Sequence, residues 1–132
     1  MDTIQITTSQ REIVEDITPL VQDYLDGQEE TKRGVLTLYS PHTTCAVTIN
    51  EGCDPHVARD MIQALRRLVP HKGDYRHAEG NSDAHVKTSL IGPSQQILVE
   101  EGRLCLGTWQ RIFLAEFDGP RTRTIWVHWV SG

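Results

Sequence analysis

Several kinds of feature are scarce or missing in this sequence of 132 residues. Cysteine occurs only as Cys45, Cys53 and Cys105, an odd count with no CxxC pair. That excludes a zinc ribbon and does not read as a disulfide framework, so a reducing, cytoplasmic compartment is expected. No apolar stretch approaches the roughly 20 residues that a membrane span needs. The N-terminus, Met1-Asp2-Thr3-Ile4-Gln5, lacks the basic start and apolar run of a signal peptide. No basic run exceeds the pair Arg66-Arg67, and the formal net charge is −5. Phosphate-backbone binding needs concentrated positive surface, so neither nucleic acid nor a membrane is an expected partner. Pro/Gly/Ser-rich linkers, repeats and low-complexity tracts are absent as well. The chain reads as one domain, 1–132.

What is present is an ordinary globular balance, 38% apolar and 23% charged. Thr3 to Thr8 alternates, with Ile4 and Ile6 on one face, and predicts a strand; a second short one is expected near Glu12 to Glu15. Thr18-Pro19 reads as an N-cap followed by proline in a first helical turn. Ile17, Leu20, Val21, Tyr24 and Leu25 then have the spacing of a helix with one buried face, which Gly27 ends. Val35 to Tyr39 and Cys45 to Ile49 are β-rich runs joined by the polar turn Ser40-Pro41-His42-Thr43-Thr44. Asp54-Pro55 announces a second helix, with a stripe of Val57, Ala58, Met61, Ile62, Leu65 and Leu68, and Pro70 ends it. His71 to Asp83 has no convincing periodicity. From Gln95 onward, runs near 95–99, 103–106, 111–117 and 122–130 are divided by Glu101-Gly102, Gly107-Thr108 and Asp118-Gly119-Pro120. The predicted class is α+β: a mainly antiparallel, β-sandwich-like sheet core, two main helices and a C-terminal β-meander.

Four polar constellations carry chemical interest. In Asp74-Tyr75-Arg76-His77-Ala78-Glu79-Gly80-Asn81-Ser82-Asp83-Ala84-His85, two histidines flank a Gly-Asn-Ser stretch able to turn the chain back on itself. The segment reads either as a solvated, turn-rich loop or as a pair of imidazoles converging on one ligand. His42, in the turn between two strands, is the candidate for a third ligand, and three protein ligands plus water is the pattern of a reactive zinc site. Its neighbours Thr43 and Thr44 suit hydrogen bonding to a phosphate, while Cys45 alternates with Val47 and Ile49 as a small buried hydrophobe. Asn50-Glu51-Gly52, ahead of a helix start, offers either a cap or a ligand platform in which Glu51 is a general base. Gly107-Thr108-Trp109-Gln110 is a turn whose aromatic either walls a pocket or covers an edge. Glu116 shares an alternating face with Ile112 and Leu114, and a carboxylate there needs a partner if it is buried.

Six segments then resemble, in order and across nearly the whole chain, the motifs of the YjbQ-like family. They are Pro41-His42-Thr43-Thr44, Val47-Thr48-Ile49-Asn50-Glu51, Tyr75 through His85, Gly92-Pro93-Ser94, Leu106-Gly107-Thr108-Trp109-Gln110 and Glu116-Phe117-Asp118-Gly119-Pro120-Arg121. The chain departs from the family pattern at Cys45, Cys53, Cys105 and Arg111, none of which touches the three histidines. The resemblance implies an α+β fold, a compact homotrimer and a polar pocket lined by the histidine motifs.

The resemblance also implies a secondary thiamine phosphate synthase activity, joining an aminomethylpyrimidine diphosphate to a thiazole phosphate with loss of diphosphate. That chemistry calls for cations, usually Mg²⁺, with Trp109 to stack on the pyrimidine and Arg76 to supply charge. A metal centre of His42, His77 and His85 suits zinc better. A second expectation is therefore a zinc-dependent hydrolase using Glu51 or Glu79 as base. A third is a non-catalytic trimer holding a metal or a small phosphorylated metabolite. Thr43, Thr44, Asn50, Arg76, Asn81, Ser82, Trp109 and Gln110 are the expected substrate contacts in each case.

Overall fold

Period-two alternation in the strands puts apolar side chains on one face of each of two antiparallel sheets, and those faces close on each other. A computed structural model describes residues Met1–Gly132. In chain order the elements are β1 (Asp2–Thr7), β2 (Ile13–Asp16), α1 (Thr18–Asp26), β3 (Arg33–Tyr39), β4 (Cys45–Glu51), α2 (Pro55–Leu68) and α3 (Ser82–Ile91), then β5 (Ser94–Glu100), β6 (Arg103–Leu104), β7 (Gln110–Glu116) and β8 (Thr122–Ser131). The larger sheet has the order β1-β8-β3-β5-β6 and the smaller β2-β7-β4.

The main core lies between the sheets. Ile6, Leu36, Leu38, Ile97, Val99, Ile125 and Val127 come from the large sheet, and Cys45, Val47, Ile112 and Leu114 from the small one. Ile17, Val21 and Leu25 of α1 close one end of it. Each such side chain stabilises by roughly 1.5–3 kcal/mol relative to its exposed state. A second cluster lies on the outer face of the small sheet, where Ala46, Ala115 and Phe117 meet Ile62 of α2 and Ala84 of α3. β7 is thus covered on both faces, and every residue from 112 to 117 is buried.

The α+β class and the antiparallel two-sheet core are those expected. Three details differ. First, α3 is a third helix, where no apolar stripe announced one; its buried residues are Asp83, Ala84, Lys87 and Thr88. Ion pairs rather than hydrophobes seat that face. Second, the C-terminal strands do not run as a meander. β5 and β6 form a hairpin across Glu101 and Gly102, both at positive φ (53° and 74°). However, β7 pairs with β2 and β4 while β8 returns to the large sheet between β1 and β3. Third, Thr18 is not the cap of α1. Ile17 holds that position, and the Asp16 carboxylate accepts the Thr18 N–H at 2.9 Å. The Thr18 hydroxyl is free to accept the Ile112 N–H at 2.7 Å, which ties α1 to β7.

Candidate functional site

The β3–β4 turn is braced from behind. The Ser40 N–H donates to the Pro93 carbonyl at 2.7 Å, the Ser40 hydroxyl donates to the Cys45 carbonyl at 3.0 Å, and the His42 N–H donates to Ser40 Oγ at 3.3 Å. Beneath Thr44 lies Arg123, 1% exposed, whose guanidinium donates to the Thr44 carbonyl (3.2 Å) and hydroxyl (2.8 Å) and to both oxygens of buried Glu116. Glu116 also accepts from the Thr8 hydroxyl at 2.8 Å and the Asp118 N–H at 3.1 Å. Burial pulls the Arg123 pKa down, but the Glu116 hydrogen bond and the surrounding negative charge outweigh it and raise the value. Arg123 is therefore a fixed cation.

α3 is anchored in the same manner. Lys87, fully buried, reaches Asp83 one turn back at 2.8 Å and Glu12 at 2.9 Å, and Arg11 reaches Asp83 at 3.1 Å. Burial pushes the Asp83 carboxyl up, yet the bonds from Lys87 and Arg11 hold it below the usual carboxylate range. With that face of α3 fixed, His85, Thr88 and Ser89 line a cleft against Ser40, His42 and Thr43 of the β3–β4 turn. Its volume is about 370 Å³.

Two of the three candidate histidines, His42 and His85, line this cleft, and the His77 ring stands edge-on to His85 with centroids 5.3 Å apart and planes at 84°. His77 Nε2 lies 3.6 Å from a Glu79 carboxylate oxygen. His42 Nε2 accepts the Thr124 N–H from β8 at 3.0 Å. Burial and the nearby Arg123 charge hold the His42 pKa below its ordinary value, so the ring is neutral at pH 7. A neutral ring whose Nε2 is an acceptor carries its proton on Nδ1. In this arrangement neither His42 nitrogen offers a free lone pair to a metal, and no three His, Cys, Asp or Glu side chains in the chain are grouped to hold one ion. The expected centre of His42, His77 and His85 is therefore not assembled as a three-ligand set in a single chain.

The remaining candidates divide by position. Thr43 lines the cleft, whereas Thr44 is buried with its oxygens engaged by Arg123. Arg76 is exposed in the loop just before His77, Asn81 holds the N-cap position of α3 with no side-chain bond to the helix and donates to the Asp118 carboxylate at 2.8 Å, and Ser82 opens the helix. Asn50, Glu51, Trp109 and Gln110 form a separate group at the far end of β4. There Asn50 faces Arg111, Glu51 faces Gln110, and the Gly52 N–H donates to the Trp109 carbonyl at 2.9 Å. Six residues of strand at about 3.3 Å each put Glu51 about 20 Å from the Cys45 end. Within one chain Glu51 therefore does not reach a ligand in the cleft, and Glu79 is the carboxylate beside the histidines. Thr88 and Ser89 escaped the sequence reading, although the spacing His85, Thr88, Ser89 would have put them on one face of a helix had α3 been recognised.

Fold and site together define a small two-sheet α+β protein with a histidine-lined surface cleft. The model of a family described as UPF0047 protein YjbQ-like matches residues 2–132, and this chain belongs to that family. It is 49% identical over 123 residues to UPF0047 protein MJ1081 of Methanocaldococcus jannaschii, covering 93% of this chain and 88% of that one. It is 47% identical over 129 residues to UPF0047 protein YugU of Bacillus subtilis, covering 96% of each. Among solved structures, the crystal structure of an uncharacterized conserved protein of the yjbq/upf0047 family from Clostridium acetobutylicum has a TM-score of 0.94 at 45% identity, covering 98% of this chain and all of that one (100%). The conserved hypothetical protein TT1486 from Thermus thermophilus gives 0.91 at 43% identity, with coverage of 98% and 100%.

Proposed function

We propose that the cleft between the β3–β4 turn and α3 is the working site of a small enzyme that handles a phosphorylated metabolite together with a divalent cation. One observation carries the reading: imidazoles from three separate segments gather there, His42 and His85 lining the cleft and His77 against His85. A concave surface on which polar side chains converge is the default place to look for a ligand. His77 and His85 are the residues to hold a metal, with ligand oxygens or water completing its coordination, and zinc is the ion that imidazoles favour. Glu79, beside His77, would then be the base of a hydrolase.

The thiamine phosphate synthase activity implied by the resemblance uses the same cleft differently. Its diphosphate leaving group needs cationic neutralisation, for which Mg²⁺ and Arg76 are the candidates. Metal analysis of the purified protein, alongside turnover of the two thiamine precursors with Mg²⁺, separates these readings. Zinc at one per chain, lost in both His77→Ala and His85→Ala, supports the hydrolase. Mg²⁺-dependent diphosphate release, lost in the same variants, supports the transferase. Absence of metal, of turnover and of phosphate binding would overturn the proposal.

The homotrimer expected from the resemblance also stands as a proposal. Its support is the outer face of the large sheet, where Tyr39, Leu98, Trp126 and Val130 are exposed. Tyr39 and Trp126 stack there with centroids 5.6 Å apart beside a groove of about 330 Å³. Exposed apolar side chains grouped on one β face mark a surface that a partner can cover.

A further inference from the structure

We infer that the groove between β2 and α2 is a second ligand site, which takes a small organic oxyanion, an apolar body bearing a carboxylate or a phosphate, on Arg59 and Arg66. It lies apart from the histidine cleft and does not depend on the reading of that cleft.

The groove opens where β2, paired with β7 alone, ends the small sheet. Its volume is about 280 Å³. That is close to the lower end of the roughly 300–1,000 Å³ of small-molecule pockets. Val14 of β2 and Ala58 and Ile62 of α2 give it an apolar floor, half-buried or buried. Arg59, Gln63 and Arg66 recur at helical spacing on the same side of α2 and form its rim. All three are exposed, so a ligand reaches them.

Arg66 is oriented in advance. Its Nε donates to the Glu12 carboxylate at 3.0 Å, which fixes the guanidinium plane. Its Nη1 and Nη2 make no bond within the chain, and that pair of parallel donors is an edge of the fork that matches an oxyanion. Glu12 also lines the groove, but its charge is already met. One oxygen lies 2.9 Å from buried Lys87, and the other lies 3.5 Å from Arg11 as well as holding Arg66. Lys87 and Arg11 share Asp83 between them. In and behind the groove, four cations (Arg11, Arg59, Arg66 and Lys87) thus meet two carboxylates, Glu12 and Asp83. Arg59, which forms no ion pair, keeps its charge for a ligand. In a chain of net charge −5, this local positive surplus beside an apolar floor selects an anion with a carbon body.

The probes are phenyl phosphate, benzoate and inorganic phosphate, each titrated into the full chain near neutral pH. The readout is the nitrogen-15 spectrum of the arginine Nε–H and glutamine amide groups. Phenyl phosphate and benzoate are expected to shift the Arg59, Arg66 and Gln63 signals. Phenyl phosphate is expected to bind about tenfold more tightly than inorganic phosphate, because its ring covers the floor. Arg59→Gln, outside every ion pair, is expected to melt with the parent and to weaken phenyl phosphate about three- to tenfold. Arg66→Lys, which keeps a charge for Glu12 but loses the fork, is expected to weaken it similarly. His85→Ala is expected to leave the groove signals unchanged. Equal affinity for the two phosphates, or parent-like binding in both arginine variants, would reduce the groove to a solvated arginine face and overturn the inference. Shifts confined to the histidine cleft would overturn it too, while leaving the proposed function standing.

Discussion

Glu116 ends a strand whose inward neighbours are Ile112 and Leu114, and Arg123, seven residues on, covers it from the other sheet. The need for such a partner was legible from the alternation alone. The partner's identity was not, because β7 and β8 look like adjacent meander strands until the chain is seen to change sheets between them. Lys87 and Asp83 were less legible still, being charged residues in or beside a stretch that read as solvated loop. Removing one member of a buried pair typically costs about 3–5 kcal/mol, because the other charge is left uncompensated. His42 is the residue whose titration reports this setting. Its folded pKa lies below the ordinary 6.5, so between those values an unfolded chain binds a proton that the folded chain refuses. The His42 contribution to stability is therefore complete above pH 6.5 and is lost as pH falls through that window. Imidazole NMR should give a His42 midpoint below 6.5, and the parent should lose more stability than His42→Gln between neutral and mildly acidic pH. A midpoint at or above 6.5 would contradict the environment described.

Among the elements, strands and amphipathic helices announced themselves and α3 did not. Strand alternation located β1, β3, β4, β5 and β8 to within a residue or two, because one face of each is apolar and buried. The Asp54-Pro55 signal worked for α2 because a cap acts locally: the Asp54 carboxylate accepts the His56 N–H at 2.9 Å. The apolar stripe of α2 proved shallower than its period suggested. Only Ile62 is buried in that helix, Leu65 is half-buried, and Leu68 is 75% exposed. Ile62→Ala should accordingly cost roughly 2–4 kcal/mol. Leu68→Ala should stay within about 0.5 kcal/mol, as surface changes usually do. Paired urea denaturation curves measure both, and equal losses would mean that α2 packs against something beyond its own chain.

For the whole molecule, no helix is long and apolar enough to cross a membrane. Fold class was readable because two-layer packing follows from pattern, while the order of strands depends on pairings distant in sequence. The candidate site was readable as a list of residue types and less so as an arrangement. His42, Thr43, His77 and His85 come together, whereas Asn50, Glu51, Trp109 and Gln110 lie along β4 from them. Static light scattering at micromolar concentration is expected to give three chains of 14.9 kDa. Trp126→Lys, which puts a charge on the outer face of the large sheet, should shift that mass downward. A parent that scatters as one chain would remove the trimer.

Tyr39 belongs to two places at once: it stacks on Trp126 on the outer face of the large sheet, and it also borders the histidine cleft. If copies meet across that face, self-association and ligand uptake draw on one side chain and become coupled equilibria. Thermodynamic reciprocity then fixes a relation between them: whatever factor a ligand adds to assembly, assembly adds to the ligand's affinity. Dilution alone would then change the apparent dissociation constant of this protein.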